Sequence, residues 1–334
     1  MPFDAPAASE SIVQKRLRGV VPLVSVRENA SPVPELPGRR SARTFGSITR
    51  LVTDPDFDSK QAMTTSALSA AAVIARNNVV VSGNPAGRPM LFAHGFGCSQ
   101  QMWRYVVPHF EADYQVVLFD LVGAGESDLT AYDRSKYDSL HGYAQDVAEI
   151  VEALDLTDAV FVGHSVSAMI GVLASQLAPE RFGALVLVGP SARYVDAEGY
   201  TGGFTSDAMD GLLDALDANY LGWSGAIAPV VMGNVDRPEL GEELTESFCR
   251  IDPAIARHFA RVTFLSDNRD DLAGVTTPTV VLQCTDDAIA PETAGHFVHD
   301  HIPGSAFVQL TATGHCPNLS DPDQVAREIA AFLA

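Results

Sequence analysis

From residue 78 to the C-terminus, short apolar runs alternate with longer segments of helical periodicity. The runs are rich in β-branched residues and end at glycine, proline or aspartate, which is typical of buried strands. The segments 139–156, 166–178 and 321–334 space their apolar residues three and four apart, which indicates helices. This alternation predicts an α/β fold, with a mostly parallel sheet covered by helices on both faces. The predicted strands are 78–83, 89–95, 114–120, 158–164, 184–190, 278–284 and 306–312.

The alternation stops between about residues 194 and 262. This segment is helical or irregular in pattern and contains no clear strand. A long insertion after a strand end suits a cap over a functional site, since such sites lie on segments that a rigid scaffold positions. We therefore predict a helical lid here. An ordinary pair of helices flanking the sheet is the less favoured alternative, because the segment is long.

The N-terminal segment differs from the rest in charge and composition. Residues 1–50 carry eight basic and four acidic side chains, whereas the whole chain has a net charge of −20. Residues 31–41 are rich in proline and turn formers. We expect residues 1–62 to be a disordered or loosely ordered extension and 63–334 to be the folded domain. Two alternatives stay open: a tail that binds an acidic partner, and a native start at Met63.

Composition excludes several classes of function. The net charge of −20 argues against nucleic-acid binding, which needs clustered lysine and arginine. No apolar run approaches the roughly 18 residues of a membrane helix, so no membrane association is expected. The four cysteines form no CxxC pair, which argues against disulfides and favours the cytoplasm. No histidine pattern suits a metal, and neither a metal nor a cofactor is predicted.

The stretch VFVGHSVSAMIG, residues 160–171, is typical of a strand that turns sharply into a helix. A nucleophile elbow has this form, with the reactive serine at the turn and small residues on both sides. The pattern G-x-S-x-G would place glycine at position 167, where this chain has Ser167. We predict Ser165 as the nucleophile, since it lies at the turn, and Ser167 as the small neighbour in the first helical turn. A buried strand–helix junction with an incidental serine is the alternative.

A serine nucleophile needs a base, and the base needs an acid that orients it. In doubly wound hydrolases the chain order is serine, acid, histidine. Asp286 and Asp287 follow the strand at 278–284, and His315 follows the strand at 306–312. We predict His315 as the base and prefer Asp287 to Asp286, because Asp287 lies one residue further from the strand end. Each residue alone is commonplace in a loop, whereas the three in this order are not.

Acyl transfer also needs donors for the developing oxyanion. The first should be the amide that follows the nucleophile, which is that of Val166. The second should come from the loop after an early strand, and the sequence HGFG at 94–97 offers flexible backbone there. We predict the amide of Phe96 as this donor, with the Phe96 ring as a wall of the pocket.

Several stretches together resemble one family. Their order and spacing are similar to those of RsbQ-like α/β-hydrolases of the bacterial general stress pathway. The stretches are GHSVSAMIG, HGFGCSQQMW, DLVGAGESDLTAYD, GYAQDVAEIVEALDL, LQCTDDAIAP and GHCPNLSDP. That scaffold is similar to the plant strigolactone and karrikin receptors. The resemblance covers about residue 66 to the C-terminus, and serine at position 167 is usual in this group.

The resemblance implies an α/β-hydrolase fold with a four-helix lid, and an apolar pocket that includes Trp223 and Phe264. It implies a serine hydrolase for a small apolar ester or lactone, active in stress or small-molecule signalling. The alternative is a ligand receptor with little turnover that works with a PAS-domain phosphatase. The family's functional positions correspond here to Ser165, Asp287, His315, Phe96 and Val166.

Overall fold

A computed structural model describes residues 68–334. The predictions for residues 1–62 and for a start at Met63 therefore lie outside the described residues. The described chain contains a seven-stranded sheet in the order β1-β3-β2-β4-β5-β6-β7. Only β1 is antiparallel to its neighbour β3, and the other pairs are parallel. The strands are β1 Val80–Gly83, β2 Arg88–Ala93, β3 Tyr114–Leu118, β4 Ala159–His164, β5 Phe182–Val188, β6 Thr279–Thr285 and β7 Ala306–Thr313.

Helices cover both faces of the sheet and form an insertion between β5 and β6. The insertion consists of α4 to α7, so the predicted lid is present and its last helix ends at Phe264. The predicted fold class, a mostly parallel sheet with flanking helices and a helical insertion, is confirmed. The helices are α1 Ala70–Arg76, α2 Leu140–Ala153, α3 Val166–Leu177, α4 Ser206–Ala218, α5 Tyr220–Met232, α6 Pro238–Cys249, α7 Pro253–Phe264, α8 Glu292–His301, α9 Pro317–Ser320 and α10 Pro322–Leu333.

The position of a strand in the sheet explains its sequence. Every residue of the central strand β4 is buried, and its sequence is nearly continuous in apolar residues. The edge strand β1 is exposed instead, and Val80 and Val81 are each 45% exposed. The sequence places its start at residue 78, two residues too early. Asn78 has a positive φ of 46° and donates to Asp120, so it belongs to the preceding turn.

Side-chain caps define where several helices begin. Asp321 accepts a hydrogen bond from the Gln324 amide and starts α10. In the lid, Asp252 accepts from two amides at the start of α7. Helices α1 and α8 are not predicted from the sequence, because α1 spans only seven residues and α8 is rich in histidine.

The loop that leads from β5 into the lid is fixed by polar contacts. Arg193 forms an ion pair with Asp267, which follows the last lid helix. Asp196 accepts hydrogen bonds from the amides of Gly202 and Gly203. The ion pair joins the segments that enter and leave the lid, and the contacts of Asp196 close the entry loop on itself. Between residues 68 and 334 no helix is long and apolar enough to cross a membrane.

Candidate active site

Ser165 lies at the turn between β4 and α3 in a strained backbone conformation, with φ 58° and ψ −123°. Residues other than glycine rarely adopt a positive φ, and such strain is typical of functional turns. Hydrogen bonds on both sides hold it: the Ser165 amide donates to Val188 O at 2.8 Å, and its carbonyl accepts from the Ala168 amide at 2.9 Å. Gly163 allows the close approach, since a Cβ there would lie 2.4 Å from the Ser167 carbonyl oxygen.

Ser165, His315 and Asp287 form one buried chain of hydrogen bonds. His315 Nε2 lies 2.7 Å from Ser165 Oγ, and His315 Nδ1 lies 2.7 Å from Asp287 Oδ2. The other carboxylate oxygen of Asp287 accepts from the amides of Ile289 and Ala290, at 2.8 and 2.9 Å. A carboxylate only accepts hydrogen bonds, so Nδ1 carries a hydrogen and Nε2 is free to accept one from the serine hydroxyl.

Asp286 and Ser167 are the alternatives to Asp287 and Ser165, and neither is hydrogen-bonded to His315. Asp286 is exposed, has a φ of 51° and makes no hydrogen bond to His315. Ser167 is buried and donates from its hydroxyl to the His94 carbonyl at 2.5 Å. Of the four candidates, the structure brings Ser165 and Asp287 to His315 and directs Asp286 and Ser167 away from it.

The loop that carries His315 is held by its neighbours. The His315 amide donates to the carbonyl of Val231 in lid helix α5 at 2.9 Å. Its carbonyl accepts from His164 Nε2 at 2.7 Å. Burial, and then the charge of His315, lower the pKa of His164 to about 3, so His164 stays neutral. Gly314 permits the contact with the lid, because a Cβ there would lie 2.0 Å from the Met232 carbonyl oxygen.

The two predicted oxyanion donors lie beside the serine. Val166 follows Ser165 directly at the start of α3. A Cβ on Gly95 would lie 3.2 Å from Ser165 Cβ, so the backbone leading to Phe96 passes close to the nucleophile. In the described part of the chain, neither the Phe96 amide nor the Val166 amide donates to another residue. Both amides therefore lack a partner in the described chain, and their role as oxyanion donors stays a prediction.

A small apolar cavity of about 30 Å³ opens at Ser165 and His315. Such a volume holds one or two water molecules. Phe96, Trp223 and Phe264, the three pocket residues expected from the sequence, all line it. The remaining lining residues are Cys98, His164, Leu212, Ile227, Val231, Leu244, Phe248, Thr263, Ile289 and Cys316.

The Phe96 ring lies at the centre of an aromatic cluster. Its centroid is 5.8 Å from that of Phe248, 5.7 Å from those of Phe259 and Phe264, and 6.3 Å from that of Trp223. Sequence reasoning missed Phe248 and Phe259. A signal for Phe248 was present, since Leu244 and Phe248 are four residues apart on α6 and both face the cavity.

Comparisons with known proteins place the chain in one family. A family model described as the alpha/beta hydrolase family matches residues 90–328. A strigolactone esterase of Arabidopsis thaliana is 37% identical over 257 residues, which cover 77% of this chain and 96% of that protein. A karrikin insensitive 2 receptor of Petunia hybrida is 37% identical over 250 residues, which cover 75% and 92%.

Solved structures of hydrolases are also similar to this chain. A hydrolase from Oleispira antarctica is 38% identical and superposes with a TM-score of 0.78, covering 80% of this chain and 97% of that one. An esterase from Exiguobacterium antarcticum, 19% identical, has a TM-score of 0.70 over 76% of this chain and 95% of its own, and shares the fold.

Proposed function

The chain belongs to the α/β-hydrolase family, and we propose that it is a serine hydrolase that cleaves a small apolar ester or lactone. One observation carries the proposal: the continuous hydrogen bonds from Ser165 through His315 to Asp287, at 2.7 Å each, beside an apolar cavity. A nucleophile, a base and an orienting acid in contact are the arrangement that activates a serine hydroxyl.

The proposed reaction begins when Ser165 Oγ attacks the carbonyl carbon and its proton passes to His315 Nε2. Asp287 orients the imidazole and stabilises its positive charge. The amides of Phe96 and Val166 donate to the oxyanion of the tetrahedral intermediate. The C–O bond then breaks, and His315 returns its proton to the leaving oxygen. Water repeats the sequence on the acyl-enzyme, releasing a carboxylic acid and regenerating Ser165.

The cavity supports a small apolar substrate. Apart from Ser165, the polar groups of its lining are those of His164, Thr263 and His315, the indole N–H of Trp223 and the thiols of two cysteines. At about 30 Å³ the cavity holds one or two water molecules, so a lid movement must enlarge it before an ester or lactone can bind. When a lactone is hydrolysed, its alcohol and acid remain on one molecule.

Replacement of the nucleophile tests the proposal. We expect Ser165→Ala to lower kcat for p-nitrophenyl acetate by at least about a thousandfold, since loss of one triad member removes most of the catalysis. Trapping with a serine-reactive phosphonate, followed by peptide mass spectrometry, should label Ser165. Full activity in a folded Ser165→Ala protein, or a label on Ser167, would overturn the assignment.

A second candidate is a ligand receptor in which the same residues turn over slowly. The 37% identity to a protein named as a karrikin receptor favours it. Single-turnover and steady-state rates, measured with one lactone, separate the two: a fast acylation followed by a very slow release favours the receptor. The PAS-domain phosphatase partner and the stress pathway stay predictions from the sequence resemblance, to be tested by pull-down with the purified protein.

A further inference from the structure

A second, charged cavity lies where the lid meets the core. It has a volume of about 240 Å³ and is lined by Arg134, Asp217, Ala254, Arg257, His258 and Arg261. We refer to these six residues as the cationic groove. Arg134 belongs to the core loop before α2, Asp217 lies near the end of α4, and the other four lie on α7. The groove therefore lies between the core and the lid.

The positive charges of the groove exceed its negative charge. Its single carboxylate, Asp217, is engaged by Arg261 at 2.5 Å. Within residues 68–334, Arg134 and Arg257 have neither a hydrogen bond nor a carboxylate within ion-pair distance. The Nε of Arg257 is buried and has no acceptor. The side chain as a whole is only partly buried, but a buried N–H without an acceptor calls for an explanation.

Neighbouring groups do not supply the missing anion. Asp252 is occupied in capping α7, and Asp133 accepts from Ser135 in its own turn. Asp138 acts on His258 only through its charge. Burial, and then the charge of Arg134, lower the pKa of His258, which agrees with a positive potential in the groove. The groove thus carries three arginines against one carboxylate in a chain of net charge −20.

We propose that the cationic groove binds a small oxyanion of the phosphate or carboxylate type between Arg134 and Arg257. A guanidinium group donates two parallel hydrogen bonds to such an anion, and the groove has room for one with a short organic substituent. The bound anion joins the core loop to α7. Because the Phe259 and Phe264 rings of α7 contact the Phe96 ring, it also holds that wall of the cavity in place.

Calorimetric titration of the full chain tests the proposal. Inorganic phosphate and succinate are titrated separately, with sodium chloride keeping the ionic strength constant, and the comparison decides between phosphate and carboxylate. We expect saturable binding of one of them. We expect Arg134→Gln and Arg257→Gln to weaken it at least about tenfold, since each removes a charge-assisted hydrogen bond. The matched control is Arg327→Gln on α10, which removes an exposed arginine outside the groove and should bind as the parent does.

A second titration excludes binding at Ser165. Protein whose Ser165 carries a phosphonate should bind the anion as the unmodified protein does. Absence of saturable binding, an equal loss in Arg327→Gln, or loss of binding after modification of Ser165 would each overturn the proposal. Arg134 is exposed, so its variant is expected to fold. If Ser165 proves unreactive, the hydrolase proposal fails, while the comparison of arginine variants still tests the groove.

Discussion

At the scale of single residues, Asp286 and Asp287 are neighbours in the chain with opposite environments. Asp287 is buried between His315 and two backbone amides, whereas Asp286 is exposed at a turn. We expect Asp287→Asn to lower kcat by about 10⁴, because an amide that donates to Nδ1 imposes the wrong imidazole tautomer. Ester hydrolysis at saturating substrate measures this.

The matched control is Asp286→Asn. Asparagine tolerates the positive φ of 51° at this position, so the variant should fold and keep its activity. Equal losses in the two variants would contradict the assignment of Asp287. The sequence could narrow the acid to this pair but could not separate its members, since one rotation of the loop decides which carboxylate points inward.

Ser167 should matter for stability and not for catalysis. Its hydroxyl donates to the buried His94 carbonyl at 2.5 Å. We expect Ser167→Ala to lower the free energy of unfolding by about 1 kcal/mol, as a lost buried hydrogen bond does, with kcat unchanged. Urea denaturation and an esterase assay on the same preparation test this, and a variant as inactive as Ser165→Ala would reverse the roles of the two serines.

At the scale of elements, lid helix α6 controls the size of the cavity through Phe248. The ring stacks against Trp223 with centroids 6.0 Å apart and contacts Phe96. We expect Phe248→Leu to raise the kcat/KM ratio of p-nitrophenyl butyrate to acetate by about tenfold, because room for added methylene groups in an apolar pocket is worth that factor or more.

Leu221→Ala serves as the control for the lid. Leu221 lies on α5 and is 59% exposed, so its truncation changes the apolar surface of the lid without enlarging the cavity. The butyrate-to-acetate ratio should stay at the parental value. An unchanged ratio in Phe248→Leu would show that the acyl group does not lie against α6.

The elements differ in how far the sequence predicts them. Buried parallel strands such as β4 are nearly continuous in apolar residues, so the sequence predicts all seven strands. Each predicted strand end lies within two residues of the end in the structure. The helical insertion is predicted from the length of its segment together with the absence of a clear strand pattern. The aromatic contacts of Phe96 were harder to foresee, because Phe248 and Phe259 reach it only through the packing of α6 and α7 onto the core.

At the scale of the whole molecule, two buried neutral histidines make stability depend on pH. Burial lowers the pKa of His94, and it lowers that of His164 to about 3. In the unfolded chain both pKa values lie near 6.5, so below that pH the unfolded state binds more protons. Their contribution to stability is complete above about pH 6.5 and is lost as the pH falls. We expect a loss of up to about 1.4 kcal/mol per pH unit for each histidine.

Urea unfolding at pH 7.5, 6.5 and 5.5 measures this loss. The two tryptophans report it by fluorescence, since Trp103 lies in the core and Trp223 in the lid. His164→Gln should flatten the dependence, whereas His141→Gln, which removes an exposed histidine, should not. A free energy of unfolding that is equal at pH 7.5 and 5.5 would contradict the prediction.

Phe96 has two proposed roles, one for its ring as a wall of the cavity and one for its amide as an oxyanion donor. Its ring lines the cavity at the centre of the aromatic cluster, and its amide has no hydrogen-bond partner within the described residues. An occupant that turns the Phe96 backbone therefore displaces the ring and the amide together. A ligand that fits poorly against Phe96 then raises the free-energy barrier to acyl transfer more than it weakens binding. Molecules that fill the cavity well but tilt the ring would remain bound and unreacted, so close analogues of the substrate should act as competitive inhibitors.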